Sequence, residues 1–349
     1  MDYLLIDSNN LAIRAAFANS ELRNGTGVPS GVHYGVLQSL VNLRNMYPKH
    51  KILMIWDGTS ARRVAEADAA VEKGLIPSGY KANREKDEQP QPLVDFRDQA
   101  PYLKKGLHQL GIPQVRYPEF EADDVAASYA KVLKERGEVV IVTSDRDYYQ
   151  LLDTNVTLWD GMKLKQTTQK SWTDETGIDP PQHVDCGALS GDTGDNIFGI
   201  PGWGDKTALK EIKKHGNWKA VLDEYEKQFG KLRGQHPDID ISDEASFNTL
   251  ASVKTEKGKV KYPQIYRGIP YSGVALAFER KEVKIPKSAL MLLMFQDRLS
   301  LAYSLKKMDD DISGLPEIPA LDFNANRLRE YLDYYDIRSL DDELEMFDV

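Results

Sequence analysis

Short apolar runs that end on acids constrain this chain more than any other feature. Residues 1–7 close on Asp7, residues 51–56 are followed by Asp57, and residues 138–142 lead into Thr143-Ser144-Asp145-Arg146-Asp147. Continuous apolar runs of this length, without polar alternation, read as strands buried on both faces. Helical patterns separate them at residues 11–17, 31–46, 102–110 and 123–136, the last stopped at Gly137, with one more short strand at 114–117. Such alternation predicts an α/β fold with a mostly parallel central sheet flanked by helices. Ligands of that architecture gather beyond the carboxyl ends of the strands, where these acids stand.

Two stretches break the pattern. Residues 58–101 are polar and charged, with Arg62, Arg63, Lys73, Lys81, Arg84 and Lys86 among acids, and show no core periodicity, so they read as a long excursion. From about residue 182 the chain reads as helical, interrupted by a glycine-rich loop at 199–204. Residues 231–287 give no secure elements and read as an insertion, and helices return at 288–307 and 324–335. A length of 349 residues suits two domains, an α/β core over 1–180 and a helical module over 181–349. The start lacks a basic leader region and no apolar run nears the ~20 residues needed to cross a bilayer. The single cysteine, Cys186, excludes an internal disulfide, so the chain reads as cytoplasmic with no membrane partner.

Five separated places supply the acids: Asp7; Asp57; Glu121 and Asp123, next to Asp124; Asp145 and Asp147; Asp192 and Asp195. Any one of them alone is more simply a helix cap or a turn residue. As a set converging on one sheet edge, they would repel strongly, and several would stay protonated unless divalent cations neutralised them. An all-oxygen donor set favours Mg²⁺, with Mn²⁺ able to substitute, over zinc. Two ions about 4 Å apart could hold both the attacking and the leaving oxygen of a phosphodiester. Spacing predicts Asp192 and Asp195 on one helical face, and Asp145 and Asp147 on one side of an extended segment. Asp124 serves equally as a helix cap and takes a secondary role.

The net charge of −9 seems to exclude nucleic acid, but residues 309–349 carry −10 of it and leave +1 on the rest. With the eight candidate ligands set aside, residues 1–308 carry +9, enough for a phosphate-binding surface. The loop Gly199-Ile-Pro-Gly202-Trp-Gly204-Asp-Lys206-Thr207 has the form of a helix-hairpin-helix turn. Its glycines would let backbone approach a phosphate, and the next helix would direct N–H groups outward. Lys206, Lys210, Lys213 and Lys214 give that helix a basic face. Tyr80, Lys81 and Arg84 form a compact aromatic and cationic group suited to a phosphate clamp.

In order, these segments resemble the 5′ nuclease family: flap endonucleases, phage 5′→3′ exonucleases and the N-terminal nuclease domain of bacterial DNA polymerase I. The resemblance rests on Leu4-Leu-Ile-Asp7, Ile55-Trp-Asp57, Tyr80-Lys-Ala-Asn-Arg84, Glu121-Ala-Asp-Asp124, Thr143-Ser-Asp-Arg-Asp147 and Gly191-Asp-Thr-Gly-Asp-Asn196 with its loop. It covers residues 1 to about 230 and resumes over 288–307. It implies a PIN-like 5′ nuclease fold with a helical arch at about 58–101 and a helix-hairpin-helix (H3TH) module at about 182–215. Asp7, Asp57, Glu121 and Asp123 would serve one metal, and Asp145, Asp147, Asp192 and Asp195 a second. Lys81 and Arg84 would be catalytic, polarising the reacting phosphate, and Arg14, Tyr80, Gly199, Gly202, Gly204, Lys206 and Thr207 would contact DNA. The hairpin would also bind K⁺. Trp203 departs from the family pattern, where a small or aliphatic residue is usual.

The implied activity is structure-specific hydrolysis of phosphodiesters at 5′ flaps, nicks or free 5′ ends, and of RNA/DNA hybrids, in primer or flap removal. The implied enzyme is a free-standing monomer, acting in the host cytoplasm if phage-encoded. A silent junction-binding protein and a PIN-type RNase are the competing readings. The complete acid set opposes the first, and the arch and hairpin oppose the second. A phosphatase using Asp7 is disfavoured because Asn9 stands where a second aspartate is needed.

Overall fold

The fold comes from a computed structural model that describes residues 1–84, 89–235, 291–292, 295–319, 324–340 and 343. Most of the stretch read as an insertion, residues 236–287, lies outside the described residues. Contacts divide the chain into two compact units: residues 1–60, 86–174 and 308–349, and residues 61–85 and 175–307.

The chain begins with β1 (Tyr3–Asp7), α1 (Ser8–Ala18), α2 (Gly31–Met46), β2 (Lys51–Trp56) and α3 (Ala61–Glu72). It continues through α4 (Gln91–Gln109), β3 (Gln114–Arg116), α5 (Ala122–Leu133), β4 (Val139–Val142), a 3-10 turn (Arg146–Leu151), β5 (Val156–Asp160), β6 (Lys165–Thr167) and α6 (Gln169–Thr176). Then come α7 (Gln182–Ser190), α8 (Asp205–His215), α9 (Trp218–Gln235), α10 (Leu299–Lys306) and α11 (Ala325–Tyr335).

In the first unit the strands form one sheet in the order β3-β2-β1-β4-β5-β6, with only β6 antiparallel. The strand pleat sends alternate side chains to opposite faces. Leu4, Ile6, Ile52, Met54, Trp56, Val140 and Val142 pack with residues of α1, α2, α4 and α11. Tyr3, Leu5, Leu53, Ile55, Val139 and Ile141 pack with α5. Each fully buried Leu or Ile contributes about 1.5–3 kcal/mol, so two apolar faces fix the register firmly. Asp7 pairs with Ile55 and Ile6 with Val142, so the acids after β1, β2 and β4 emerge along one edge. The strand order reverses between β1 and β4, the switch point where α/β sheets hold ligands.

The second unit is helical among its described residues. Ile178, Leu189, Ile200, Trp203, Ala208, Ile212 and Val221 form one core with Leu292, Phe295 and Leu299. A second core joins Ala67, Ala70 and Ile76 to Ala188, Ile197, Ala302 and Leu305.

Residues 58–101 hold more helix than their composition suggests. The buried positions of α3 are Arg63, Ala67 and Ala70, which give almost no apolar signal. Helix α4 starts at Gln91, well before the expected residue 102. It buries Phe96, Gln99, Leu103 and Leu107, and Pro101 inside it masks that period.

Candidate functional site

In the first unit the local fold delivers six of the expected acids to the carboxyl edge of the sheet. Asp7 ends β1 and caps α1, one oxygen accepting from the Asn10 amide at 3.1 Å and the other from the Thr143 hydroxyl at 3.0 Å. The Asp145 amide donates to that same hydroxyl at 3.1 Å, so Thr143 ties the end of β1 to the segment after β4. Asp57 accepts from the Ala122 amide at 2.9 Å, which fixes it beside Glu121 and Asp123 at the start of α5. Gly58 makes this approach possible, since a Cβ there would lie 2.0 Å from the Tyr117 carbonyl oxygen. Asp145 caps the 3-10 turn through the Asp147 amide at 2.9 Å. The segment is therefore a turn and not the extended segment expected, because the side chain of Asp145 competes for the backbone.

Asp7 shows the electrostatic consequence. Burial, together with the charges of Asp57 and Asp145, pushes its carboxyl up to about 8 against the opposing pull of its two hydrogen bonds. A cluster that cannot carry all its negative charge unaided fits a hard divalent cation, and its donors are all oxygens. Arg14 lies on α1, where Asp160 and Asp7 attract its partly buried guanidinium. Asp124 is 2 % exposed and accepts from the Asp309 amide at 2.8 Å, anchoring the returning chain.

In the second unit, α7 stops at Ser190 because Gly191 takes a left-handed φ of 74°. Asp192 and Asp195 thus lie in a tight loop closed by the Asp192–Ile197 bridge, not on the helical face expected. One oxygen of Asp192 accepts from the Gly194 amide at 2.7 Å and the Asp195 amide at 3.3 Å. Its other oxygen accepts from Lys306 Nζ at 2.8 Å. Burial opposes charge on Asp192, but Lys306 and the loop amides outweigh it and hold the carboxyl below its ordinary value. Lys306 is only 5 % exposed and its stem lies over Gly187, where a Cβ would meet Cε at 3.0 Å.

The expected clamp residues gather on Asp195. Arg84 forms an ion pair with it, the Tyr80 hydroxyl donates to it at 3.2 Å, and Lys81 Nζ lies 3.9 Å away. Asn83 donates to the Thr193 carbonyl at 2.6 Å, so the whole 80–84 segment grips the 192–196 loop. In turn, Arg63 donates to the Leu305 carbonyl and Arg62 to those of Ser304 and Lys307, satisfying the end of α10 beside Lys306.

The loop between α7 and α8 has the expected hairpin form. Gly199 is required, since a Cβ would lie 2.2 Å from the Gly191 nitrogen, and Gly202 adopts a left-handed φ of 84°. Gly204 precedes α8, whose first residues include Lys206 and Thr207, and Lys206, Lys210, Lys213 and Lys214 are all exposed. Trp203 points inward and meets Tyr225 edge-on at 6.0 Å between centroids, so its bulk serves the core. Sequence reading missed Thr143 and Lys306. The Lys306 pairing spans 114 residues and leaves no local signal.

Residues 2–177 match the family described as 5'-3' exonuclease, N-terminal resolvase-like domain, and residues 178–258 its C-terminal SAM fold. A 5'-3' exonuclease of Aquifex aeolicus is 31% identical over 240 residues, covering 68% of this chain and 78% of that protein. The thermostable DNA polymerase I of Thermus thermophilus is 34% identical over 220 residues, covering 63% of this chain but 25% of the polymerase. Among solved structures, the T5 5'-exonuclease with bound zinc has a TM-score of 0.52 at 19% identity, covering 86% of this chain and all of that one. The catalytic core of Rad2 in complex with DNA substrate has a TM-score of 0.51 at 16% identity, covering 99% and 92%. These two likenesses are of fold, and the family matches carry the assignment: this chain belongs to the 5'-3' exonuclease family of nucleases.

Proposed function

We propose that this chain is a structure-specific 5′ nuclease that uses Mg²⁺, or Mn²⁺ in its place, to hydrolyse phosphodiesters at 5′ flaps, nicks and free 5′ ends. The observation that carries the reading is the acid edge of the sheet, where Asp7 is pushed up to about 8 by burial beside Asp57 and Asp145. Asp7, Asp57, Glu121 and Asp123 would hold one cation, and Asp145, Asp147, Asp192 and Asp195 a second. When bound, the cations supply charge neutralisation at the phosphate and activate water for in-line attack.

The chain's own residues do the rest. Thr143 and the Asn10 amide hold Asp7 in one orientation, and the Ala122 amide does the same for Asp57. Lys81 and Arg84, paired with Asp195 in this structure, would exchange that carboxylate for the reacting phosphate. The glycine loop and α8 would grip duplex backbone without reading sequence, with K⁺ a candidate at the loop carbonyls. RNA primers on DNA are substrates on the same logic, and removal of primers or flaps by a monomeric enzyme is the proposed role.

The test uses 5′-labelled and 3′-labelled flap, nicked and linear duplexes with Mg²⁺ or EDTA, alongside Asp145→Ala. Cleavage near the 5′ junction by the wild type in Mg²⁺ alone, with near-complete loss in the variant, is expected. Equal cleavage in EDTA, or an unaffected variant, overturns the reading.

A further inference from the structure

Lys306 is a buried charge that the proposed chemistry leaves unused. It ends α10, lies almost wholly inside the second unit, and its Nζ donates to Asp192 at 2.8 Å. Lysine is almost never buried this deeply unless paired, and an apolar side chain would fill the space beside Gly187 without desolvating an ammonium. Packing therefore does not explain the charge.

What it holds does. One oxygen of Asp192 gathers the Gly194 and Asp195 amides at 2.7 and 3.3 Å, and the main chains of Asp192 and Ile197 close the loop with paired bonds of 2.8 and 2.7 Å. Lys306 fixes the other oxygen. The loop so shaped offers three successive carbonyls to the clamp segment. Thr193 accepts from Asn83 at 2.6 Å, Gly194 from Arg84 Nε at 3.3 Å and Asp195 from the Lys81 amide at 2.9 Å. Lys81 needs that support. Its φ of 55° lies in the left-handed region, which such a residue keeps only where its surroundings impose it. All of these groups belong to the second unit.

We infer that Lys306 is a positioning residue for the clamp: by orienting the Asp192 carboxylate it sets the shape of the 192–197 loop, and through that loop the place of Lys81 and Arg84. The link runs through protein groups, so it operates without a divalent ion. Arg62 and Arg63 secure its other end. By satisfying the carbonyls of Ser304, Leu305 and Lys307, they tie the last turn of α10 to α3, the helix that precedes the clamp segment. The inference rests on the phosphate-clamp role proposed above for Lys81 and Arg84, whereas the hold itself is measured without turnover.

Trypsin cuts after lysine and arginine, so it reads directly whether residues 81 and 84 are held. The full chain is digested in EDTA as wild type, Lys306→Met and Lys306→Gln, and cleavage is followed by mass spectrometry after Lys81 and Arg84. Lys213 and Lys214, exposed on α8 in the same unit, are the internal control. The Asp192 side chain is 31 % exposed, so water can replace Nζ and Lys306→Met should fold. Cleavage after Lys81 and Arg84 should be about tenfold faster in Lys306→Met, less so in Lys306→Gln, which keeps a donor, and unchanged at the α8 sites. Single-turnover flap cleavage in Mg²⁺ should fall about tenfold or more with the misplaced clamp. Wild-type protection of Lys81 and Arg84 in both variants overturns the assignment. Equal acceleration at all four sites, or loss of a cooperative melt in both variants, overturns it in favour of a general core role. If protection is lost but flap cleavage is unchanged, the clamp role fails and the inference with it. If wild type cuts no flap in Mg²⁺, the nuclease reading fails, and the digestion still decides whether Lys306 holds the segment.

Discussion

Asp7 is asked to be a carboxylate by its hydrogen bonds and a carboxylic acid by its surroundings. Capping α1 and accepting from Thr143 favour the charged form, while burial beside Asp57 and Asp145 pushes it up to about 8. A folded value above the unfolded one means that the native state holds a proton the unfolded chain has lost. The associated stability is complete below the unfolded value of 3.8 and drains away as pH rises through about 8. Asp7→Asn keeps the cap acceptor and removes the charge. In EDTA the variant should outlast wild type near pH 8, by roughly 1–3 kcal/mol, and show no advantage near pH 4. Added Mg²⁺ should stabilise wild type and not the variant. Parallel melting curves across that range would refute this account. Asp192 solves the same problem differently, since Lys306 provides a built-in cation.

At the scale of elements, α11 shows how a distant segment completes the core of the first unit. Leu328, Leu332 and Tyr335 pack with α1, α2 and α4 residues, and His33 on α2 is the polar pin. Its Nδ1 meets the Tyr331 hydroxyl, its Nε2 lies 3.1 Å from Gln99 Oε1, and its ring stacks on Tyr335 at 3.7 Å between centroids. Burial lowers His33 to about 4, outweighing the hydrogen bond to Gln99. The unfolded chain then takes up a proton at about 6.5 that the native state refuses, so stability contributed by neutral His33 is lost as pH falls from about 6.5 toward 4. This slope opposes that of Asp7, and the two separate in an Asp7→Asn background. There the melting temperature should fall between those pH values, and adding His33→Gln should flatten the decline while lowering stability overall. An unchanged slope would mean that His33 does not control docking of α11.

For the whole molecule, the sign of the total charge misleads. An acidic tail conceals a chain that is otherwise near neutral. Lys206, Lys210, Lys213 and Lys214 stay exposed on α8, directly after the glycine loop. If they contact phosphates, each contact releases counterions. Replacing all four by alanine should then flatten log affinity against log salt by up to about 3–4 for duplex DNA. Binding followed by fluorescence anisotropy in Ca²⁺ across a salt series checks this, and an unaltered slope would move the duplex contact elsewhere. The two units are also interleaved along the chain, so neither is released by a single cut.

The sequence by itself determined β1 to β4, the mostly parallel sheet and the identity of the acids, because apolar runs and the residues that close them are neighbours in the chain, whereas β5 and the antiparallel β6 were not legible in it. Periodicity encodes such local facts directly. It failed at α3, where alanines and Arg63 fill the buried face, and at α4, where Pro101 masks a continuous helix. It also misjudged the 192–195 loop, where the positive φ of Gly191 overrides helical spacing. Only the tertiary structure decided that Lys306 neutralises Asp192 and that Thr143 joins Asp7 to Asp145. These are relations between side chains brought together by packing, and their chemistry depends on burial and distance, which no short window of residues contains.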